Sequence, residues 1–302
     1  MQTVLGQRDA GELAVVDAHA HVWIAGAPPG SPELADEALS LRELRDLRAA
    51  GGDLLIDCQP GGCGRDGRVL RRLMEASGVA IVASTGFHMR RHYGPDGGTW
   101  ADPAGALDGF VADLADGLRE APKARAGVVK CAWTHAKGAE SELLSAALEA
   151  ARVAGAPVVV HTERGHAVEE LPAVVADAGV QPAAVQLSHV DKRPDPVLHS
   201  ELARAGFVLG YDTFLRPKYD PERRVWPLLR RLIEAGLWER ITLGTDLVDQ
   251  AAWQTGGGPG LRALPLGVLA QLRREGAREE VLAALGGGNA LRLLAGRAEV
   301  SA

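Results

Sequence analysis

The chain has 302 residues and a formal net charge of −6 at pH 7, with 46% hydrophobic, 24% charged and 4% aromatic residues. This is the composition of an ordinary globular protein, and its mild acidity and few aromatics disfavour nucleic acid and anionic membranes as main partners. The length suits one α/β barrel, which typically needs about 250 residues, so we expect a single domain over 1–302.

The number and spacing of the cysteines and the first residues of the sequence are used to predict the cellular compartment. Cys58, Cys63 and Cys131 are odd in number and irregular in spacing, which does not indicate a disulfide framework. The opening MQTVLGQRDAGEL has no basic segment followed by an apolar one, and no apolar run approaches the roughly 20 residues of a membrane span. We therefore expect a cytoplasmic protein with no membrane partner.

Eight short runs rich in Val, Ile and Leu are predicted as strands, with amphipathic segments between them. The predicted strands span residues 14–22, 53–58, 79–84, 127–131, 157–161, 183–189, 206–212 and 241–246. Segments 39–51, 68–78 and 141–155 each end at a glycine that suits a helix C-cap, and 262–296 is predicted as the closing helical segment. Eight strand–helix units without a composition shift predict a closed (β/α)8 barrel, with an open doubly wound sheet as the weaker alternative.

Two long stretches interrupt the alternation, 86–103 after the third strand and 247–260 after the eighth. Both follow the carboxyl ends of strands, where barrel enzymes hold their active sites, and long loops in compact domains tend to be functional. For the glycine-rich portion TGGGPG, a slack surface loop without function is an equal alternative.

The segment Asp17-Ala-His19-Ala-His21 lies on the first predicted strand. Because alternate side chains of a strand share a face, His19 and His21 point the same way and can bind one cation from two sides. A pair of hydrogen-bonded histidines inside the barrel is the alternative explanation.

Four further residues of metal-binding type each end a predicted strand: Lys130, His161, His189 and Asp246. Taken singly, each has an ordinary explanation, such as a lysine that reaches solvent, a core histidine or a helix-capping aspartate. Six such residues at one rim of a predicted barrel nevertheless favour a metal centre. Oxygen ligands with imidazoles suit zinc, manganese, cobalt or iron, and the set does not choose among them.

Lys130 distinguishes a centre of two cations from a centre of one. A protonated lysine beside cations is unfavourable, because like charge and desolvation both oppose its positive charge. A neutral amine reacts with carbon dioxide to give a carbamate, whose two oxygens can bridge two cations as a carboxylate does. The sequence therefore predicts a carboxylated lysine at this position.

The segments VDAHAHV, GRDGRVLRRLMEASGVAIVASTGFH, VVKCA, VVVHTERG, LSHVD and LGTD follow one another in order at compatible spacings. With them the sequence resembles the phosphotriesterase family of the amidohydrolase superfamily over almost the whole chain, and its lactonase branch in particular. Some relatives carry glutamate in place of the lysine, and a nuclease family that shares the His-X-His start uses a glutamate bridge. The resemblance implies two divalent cations, zinc being favoured, with a bridging hydroxide and these ligands: His19, His21 and Asp246 for one cation, His161 and His189 for the other, and carboxylated Lys130 between them.

Such a centre implies a hydrolase. Two cations lower the pKa of a bridging water, so that hydroxide is present near neutral pH, and they polarise the scissile carbonyl or phosphoryl oxygen. Asp246 is then placed to take the proton and pass it to the leaving group. The predicted catalytic residues are accordingly Asp246 and Lys130.

A basic cluster follows the seventh predicted strand, in the segment YDTFLRPKY. Arg216 offers a planar fork and Lys218 a point charge for a phosphate or carboxylate, and Tyr219 adds a hydroxyl. These features predict a substrate with an anionic group. The equal alternative is a solvated loop in which the two basic residues pair with Asp212 or Asp220.

Two other residues are predicted to contact substrate. Lys192 joins the anion site, and His88 lines the pocket after the third strand. The leading prediction is a lactonase for a small anionic lactone, phosphorylated or otherwise. The alternatives are a phosphotriesterase, an amidase or carboxylesterase, and a catalytically silent metal-binding barrel. Because members of this family are often dimers, a homodimer is compatible with the sequence, although no surface is assigned to it.

Overall fold

The computed structural model describes residues 1–11, 13–135 and 137–295. Its centre is a sheet of eight parallel strands in sequence order, preceded by a two-stranded antiparallel hairpin. The hairpin strands are Gln2–Thr3 (β1) and Gly6–Gln7 (β2). The sheet strands are Val16–Ala20 (β3), Leu54–Asp57 (β4), Ala80–Gly86 (β5), Ala126–Trp133 (β6), Val158–Thr162 (β7), Val185–Ser188 (β8), Val208–Tyr211 (β9) and Ile241–Leu243 (β10).

The sheet closes on itself between β10 and β3. Beyond the end of β10, the backbone amides of Thr245 and Asp246 donate to the carbonyl of His19 at 3.2 and 2.9 Å. Gly244 permits this approach, because a Cβ at its position would lie 2.9 Å from the Cβ of His19. The predicted (β/α)8 barrel is therefore confirmed, and the alternative of an open sheet is wrong.

Helices cover the outside of the barrel. Within the described residues, the α-helices are Glu37–Ala49 (α1), Gly67–Ser77 (α2), Ala106–Ala115 (α3), Ala139–Ala154 (α4), Leu171–Asp177 (α5), Pro196–Arg204 (α6), Val225–Glu234 (α7), Ala270–Arg274 (α8), Glu279–Ala283 (α9) and Asn289–Ala295 (α10). Asp36, Asp66 and Asp195 accept backbone amides at the starts of α1, α2 and α6. Gly78 and Gly155 end α2 and α4 with φ of 74° and 62°, as the sequence predicts.

All eight predicted barrel strands form, and they are buried along almost their whole length. Strands of a parallel barrel are covered on both faces, which explains why they appear in the sequence as continuous apolar runs. The boundaries differ at the carboxyl ends, since β6 continues to Trp133 and β10 stops at Leu243. The predicted closing segment is helical in two parts, Leu264–Arg274 and Glu279–Ala295, while residue 296 lies outside the described residues.

Both predicted long loops lie at the carboxyl end of the barrel, after β5 and β10. The second is not slack, because the buried Glu43 of α1 accepts the backbone amides of Gln254 at 3.1 Å and Leu261 at 2.7 Å. This carboxylate ties both ends of the glycine-rich portion to the helical layer. No helix in the described part of the chain is long and apolar enough to span a bilayer.

Candidate active site

The six residues predicted as metal ligands meet at the carboxyl ends of the barrel strands. Each is at most 8% exposed: His19, His21, Lys130, His161, His189 and Asp246. The ring centroids of His19 and His21 lie 5.5 Å apart, and that of His189 lies 4.6 Å from His19 and 4.8 Å from His161. Nζ of Lys130 is 3.4 Å from Nε2 of His19. The barrel therefore gathers residues from five strands, or from the turns that follow them, into one cluster. Lys130 lies inside β6, three residues before the end of the strand, and not at the strand end predicted for it.

Two of these residues have an unusual backbone conformation. His189 has a φ of 64° directly after β8, and Asp246 has a φ of 44° three residues after β10. Residues other than glycine seldom adopt this left-handed region, and each instance costs about 1–3 kcal/mol. The sequence predicts that both residues end their strands, whereas β8 ends one residue before His189 and β10 ends three residues before Asp246. The turns bring Nδ1 of His189 to 3.5 Å from Oδ2 of Asp246.

A buried carboxylate, Asp212, lies behind the histidines. Its Oδ1 is 2.8 Å from Nδ1 of His189, and its Oδ2 is 3.4 Å from Nδ1 of His19. Burial raises the pKa of Asp212 well above its usual value, and the charges of Asp191 and Asp246 add to this effect. Among the described residues, Asp212 contacts the histidines, and Arg216 forms its ion pair with Asp246 rather than with the predicted alternatives Asp212 or Asp220.

Two more buried aspartates clamp the ends of neighbouring strands. Asp17 accepts the hydroxyl of Thr245 at 2.6 Å, the amide of Thr245 at 3.1 Å and the amide of His19 at 3.2 Å. Asp191 accepts the hydroxyl of Thr213 at 2.6 Å and its amide at 3.0 Å. Burial raises the pKa of both carboxyl groups. Each clamp fixes the backbone beside a candidate ligand, so the donor atoms are held before any ligand binds.

The donor atoms at this end of the barrel suit a divalent cation. His19, His21 and Asp246 each offer one atom within 4.8 Å of the others, and so do His19, His189 and Asp212. Among the described residues, Nδ1 of His19 and Nδ1 of His21 are buried without a hydrogen bond, since the approach of Asp212 to Nδ1 of His19 is not a hydrogen bond, and such burial is unfavourable unless another group binds the ring. Burial lowers the pKa of His21 to about 3, so its ring stays neutral and keeps a lone pair for a metal.

A cavity of about 310 Å³ opens beside this cluster. The predicted substrate-contacting residues all line it: His88, Lys192, Arg216, Lys218 and Tyr219. Nζ of Lys192 and Nζ of Lys218 lie 5.5 and 5.1 Å from the ring centroid of Tyr219. Nη1 of Arg216 lies 3.0 Å from Oδ2 of Asp246, so one wall of the cavity is cationic and reaches the carboxylate of the candidate centre.

The loop after β5 contributes His88, Arg91 and His92 to the lining of the cavity. The ring of His88 is stacked on His92 at 4.4 Å and meets the edge of His161 at 4.7 Å. Burial lowers the pKa of His88 well below its usual value, and Nδ1 of this ring is buried without a hydrogen-bond partner among the described residues. His88 therefore contributes a neutral ring to the lining of the cavity.

The sequence does not predict the contacts that two acidic residues, Glu163 and Asp212, make with the histidines; Asp212 is predicted only as a possible partner of the basic loop. Oε2 of Glu163 lies 3.3 Å from Nε2 of His161. The sequence does carry a signal for it, since His161-Thr-Glu163 has the same alternation as His19-Ala-His21. No comparable pattern links Asp212 to the histidine 23 residues before it, because that contact depends on how two strands align in the barrel.

A sequence model of the phosphotriesterase family matches residues 1–294. The chain belongs to the phosphotriesterase family. The phospho-furanose lactonase of Mycoplasmopsis synoviae is 28% identical over 270 residues, which are 81% of this chain and 75% of that protein. The crystal structure of an amidohydrolase from Mycoplasma synoviae has a TM-score of 0.90 at 25% identity and covers 97% of this chain and 91% of its own. That of a lactonase from Listeria monocytogenes, at 20% identity, shares the fold with a TM-score of 0.87 over 97% of this chain and 98% of its own.

Membership of this family makes the chain a hydrolytic enzyme. Enzymes of the family depend on two metal ions, and the buried groups of histidine and aspartate described above are candidate ligands for them. A cavity of this size at the mouth of the barrel is consistent with a small-molecule substrate.

Proposed function

We propose that this enzyme is a lactonase whose substrate is a small lactone with an anionic group, and that phosphorylated sugar lactones are the first substrates to test. The observation that carries the proposal is the cationic wall of Lys192, Arg216 and Lys218 beside the candidate ligand Asp246. An anionic group seated there leaves the remainder of the molecule over the cluster of histidines. The relatives named phospho-furanose lactonase support the same choice.

The proposed ligands form two groups around one lysine. One cation is assigned to His19, His21 and Asp246, the second to His161 and His189, with zinc as the favoured metal. Lys130 is 1% exposed, its Nζ contacts His19, and it forms no ion pair within the described residues. A buried ammonium without a carboxylate is unfavourable. Addition of its neutral amine to carbon dioxide, with loss of one proton, gives a carbamate that would join the two groups.

The protein's own residues then supply binding and proton transfer. When bound, the cations lower the pKa of water and polarise the scissile carbonyl. Lys192, Lys218 and Arg216 together attract the anionic group, and Arg216 binds it through the N–H groups that are not already bound to Asp246. Asp246 takes the proton of the attacking water and delivers it to the alkoxide oxygen that leaves the ring. His88 contributes a neutral ring to the lining of the cavity in which the substrate binds.

A matched substrate panel tests this function. Purified enzyme with its metal content measured is assayed against phosphorylated sugar lactones, neutral acyl lactones, an amide and a neutral phosphotriester. We expect about two cations per chain and the highest kcat/KM on an anionic lactone. A higher kcat/KM on the triester or the amide would replace the lactonase proposal, and metal-free active protein would contradict the proposed centre.

Two variants sharpen the substrate assignment. Arg216→Met is expected to raise KM for the anionic lactone by about 10- to 100-fold, because a charge-assisted hydrogen bond contributes about 1.5–3 kcal/mol. Because the substitution also removes the contact with Asp246, which affects every substrate, anion recognition is measured as the additional loss on anionic over neutral lactones. Arg223→Met is the control, since Arg223 is exposed on the same segment and does not line the cavity. Equal losses on neutral and anionic lactones would remove Arg216 from anion recognition.

A further inference from the structure

The two ring nitrogens of His161 have different surroundings. Nε2 lies 3.3 Å from Oε2 of Glu163, whereas Nδ1 makes no hydrogen bond within the described residues. His189 shows the reverse arrangement, because its Nδ1 is the nitrogen that contacts a carboxylate, that of Asp212. In each histidine one nitrogen thus contacts a carboxylate, and the other makes no hydrogen bond to the part of the chain that the structure describes.

The backbone explains why Glu163 reaches this ring. Strand β7 ends at Thr162, but the amide of Glu163 donates to the carbonyl of Trp133 at 3.4 Å, which continues the pairing with β6. Alternate residues of an extended chain share a face, so Glu163 lies on the same face as His161. Thr162 points away, and its hydroxyl donates to the carbonyl of Ser188 at 2.7 Å.

Glu163 is itself held by a residue from another loop. Nη2 of Arg91, in the loop after β5, lies 3.3 Å from the same Oε2, and Nε of Arg164 lies 4.0 Å from Oε1. The Oε2 atom of Glu163 thus lies within reach of two N–H donors, the Nε2 of His161 and the Nη2 of Arg91. This geometry suits a ring that donates from Nε2 and a carboxylate that accepts.

We propose that Glu163 is a positioning residue that accepts the Nε2–H of His161 and so leaves Nδ1 of this ring to bind the second cation, with Arg91 holding the carboxylate in place. Metal-binding histidines almost always donate their other N–H to such a partner, which fixes the tautomer and the ring orientation. The inference rests on the proposed function, because it assigns a cation to His161.

A competing role for Glu163 is that of a direct ligand. Two atoms bound to one cation at about 2.1 Å also lie some 3.0–3.4 Å apart, which includes the distance observed. The shared contact of Oε2 with Arg91 favours the positioning role, because an oxygen that accepts two N–H groups has little electron density left for a metal. Glutamine at this position separates the two roles, since its amide oxygen accepts Nε2–H but is a poor metal ligand.

The first measurement needs neither metal nor substrate. In metal-free protein labelled with 15N-histidine, the nitrogen chemical shifts report the tautomer of His161, with a His161→Gln spectrum providing the assignment. We expect the Nε2–H form in wild type and in Glu163→Gln, and a mixture of tautomers in Glu163→Ala. Wild-type protein with Nδ1–H on His161, or a Glu163→Ala variant with an unchanged tautomer, would overturn the proposal.

The second measurement is the affinity for the second cation, obtained by titrating metal-free protein with cobalt(II) and following its absorption spectrum. Glu163→Ala is expected to weaken this site by about 10- to 100-fold, and Arg91→Met to weaken it less. Glu163→Gln should remain within about threefold of wild type. The control is Glu169→Gln, because Glu169 is exposed nearby and pairs with Arg193. A glutamine variant as weak as the alanine variant would make Glu163 a ligand and overturn the positioning role. Wild type that binds one cation or none would instead contradict the proposed function.

Discussion

Two sides of the cavity hold their residues by different means. On the side of β3, β8 and β10, the carboxylates of Asp17 and Asp191 are about 1% exposed and accept threonine hydroxyls and backbone amides. On the side of β5 and β7, the contact that holds His161 is an ion pair, in which the side chains of Arg91 and Glu163 are 62% and 34% exposed. One side is a buried hydrogen-bond network, and the other is a pair of charged side chains near solvent.

The two arrangements should contribute differently to the stability of the fold and to ligand binding. Each buried carboxylate satisfies several donors that have no access to water, so its loss leaves them unpaired at the full cost of desolvation. A half-exposed ion pair contributes little to stability, because water and salt replace it readily. We therefore expect changes on the first side to unfold the protein or stop the chemistry, and changes on the second side to alter ligand binding in a folded enzyme.

The largest effect is expected for Asp246→Asn. Asparagine keeps the size of the side chain and one ligand oxygen but cannot take up a proton, so kcat should fall by about 10²- to 10⁴-fold. Metal content and the unfolding midpoint are measured on the same preparation, with Asp249→Asn as the control because Asp249 is exposed in the same loop. Near-wild-type rates with both cations bound would remove Asp246 from proton transfer.

The next largest effect is expected for Asp17→Ala. This variant leaves the hydroxyl and amide of Thr245 and the amide of His19 without an acceptor, and it should lower the free energy of unfolding by about 3–5 kcal/mol. Urea unfolding of metal-free protein measures the loss apart from any change in metal binding. Asp17→Asn should lose less, since it keeps one acceptor, and Asp108→Ala on the exposed face of α3 should change little. A loss at Asp17 no larger than at Asp108 would contradict the clamp.

Asp57, the last residue of β4, offers a pH test of another buried carboxylate that accepts backbone amides. Its carboxylate accepts the amides of Val22 and Gln59 at 2.9 and 3.1 Å, and burial raises its pKa from 3.8 to about 7. Between these two values the folded state binds more protons than the unfolded state, so this group destabilises the protein as the pH rises from 4 to 7. Its contribution is constant below and above that window.

Asp57→Asn removes this dependence. Relative to the variant, wild type should lose stability between pH 5 and pH 7 with a slope that approaches about 1.4 kcal/mol per pH unit. Urea unfolding at pH 5, 6, 7 and 8 measures the difference between the two proteins. A difference that stays constant with pH would show that the carboxyl group of Asp57 has the same pKa in the folded and unfolded states.

On both sides of the cavity, the sequence predicts the candidate ligands better than the residues that orient them. Alternation on a strand identifies His19 and His21, and apolar runs locate the strand ends that carry Lys130 and His161. The left-handed turn at Asp246 has no sequence signature, because its side chain is aspartate rather than glycine. Contacts between distant segments, such as the one between Asp212 and His189, depend on strand register and on closure of the barrel. Local patterns therefore predict candidate ligands better than the residues that orient them.

The contact between Glu43 and the loop that it anchors is likewise not predicted by local sequence patterns. Composition alone suggests that TGGGPG is slack, since glycine favours flexible turns. The anchoring carboxylate lies 211 residues earlier in the sequence, on a different helix. A buried acid in an otherwise amphipathic helix is a weak hint of such a contact, and it does not identify the partner.

The smallest stability effect is expected for Arg91→Met, and the same substitution at Arg65 provides its reference. The Arg65 side chain is 1% exposed and is bound by Glu120, Asp113 and the carbonyl of Ser84, so breaking its contacts should cost about 3–5 kcal/mol. Loss of the half-exposed Arg91 pair should cost less than about 1 kcal/mol. Urea unfolding in low and high salt compares the two variants, and only the small Arg91 effect should disappear in salt. Equal losses in the free energy of unfolding for the two variants would mean that the ion pair beside His161 stabilises the fold as much as a buried network does. That result would contradict the difference between the two sides of the cavity.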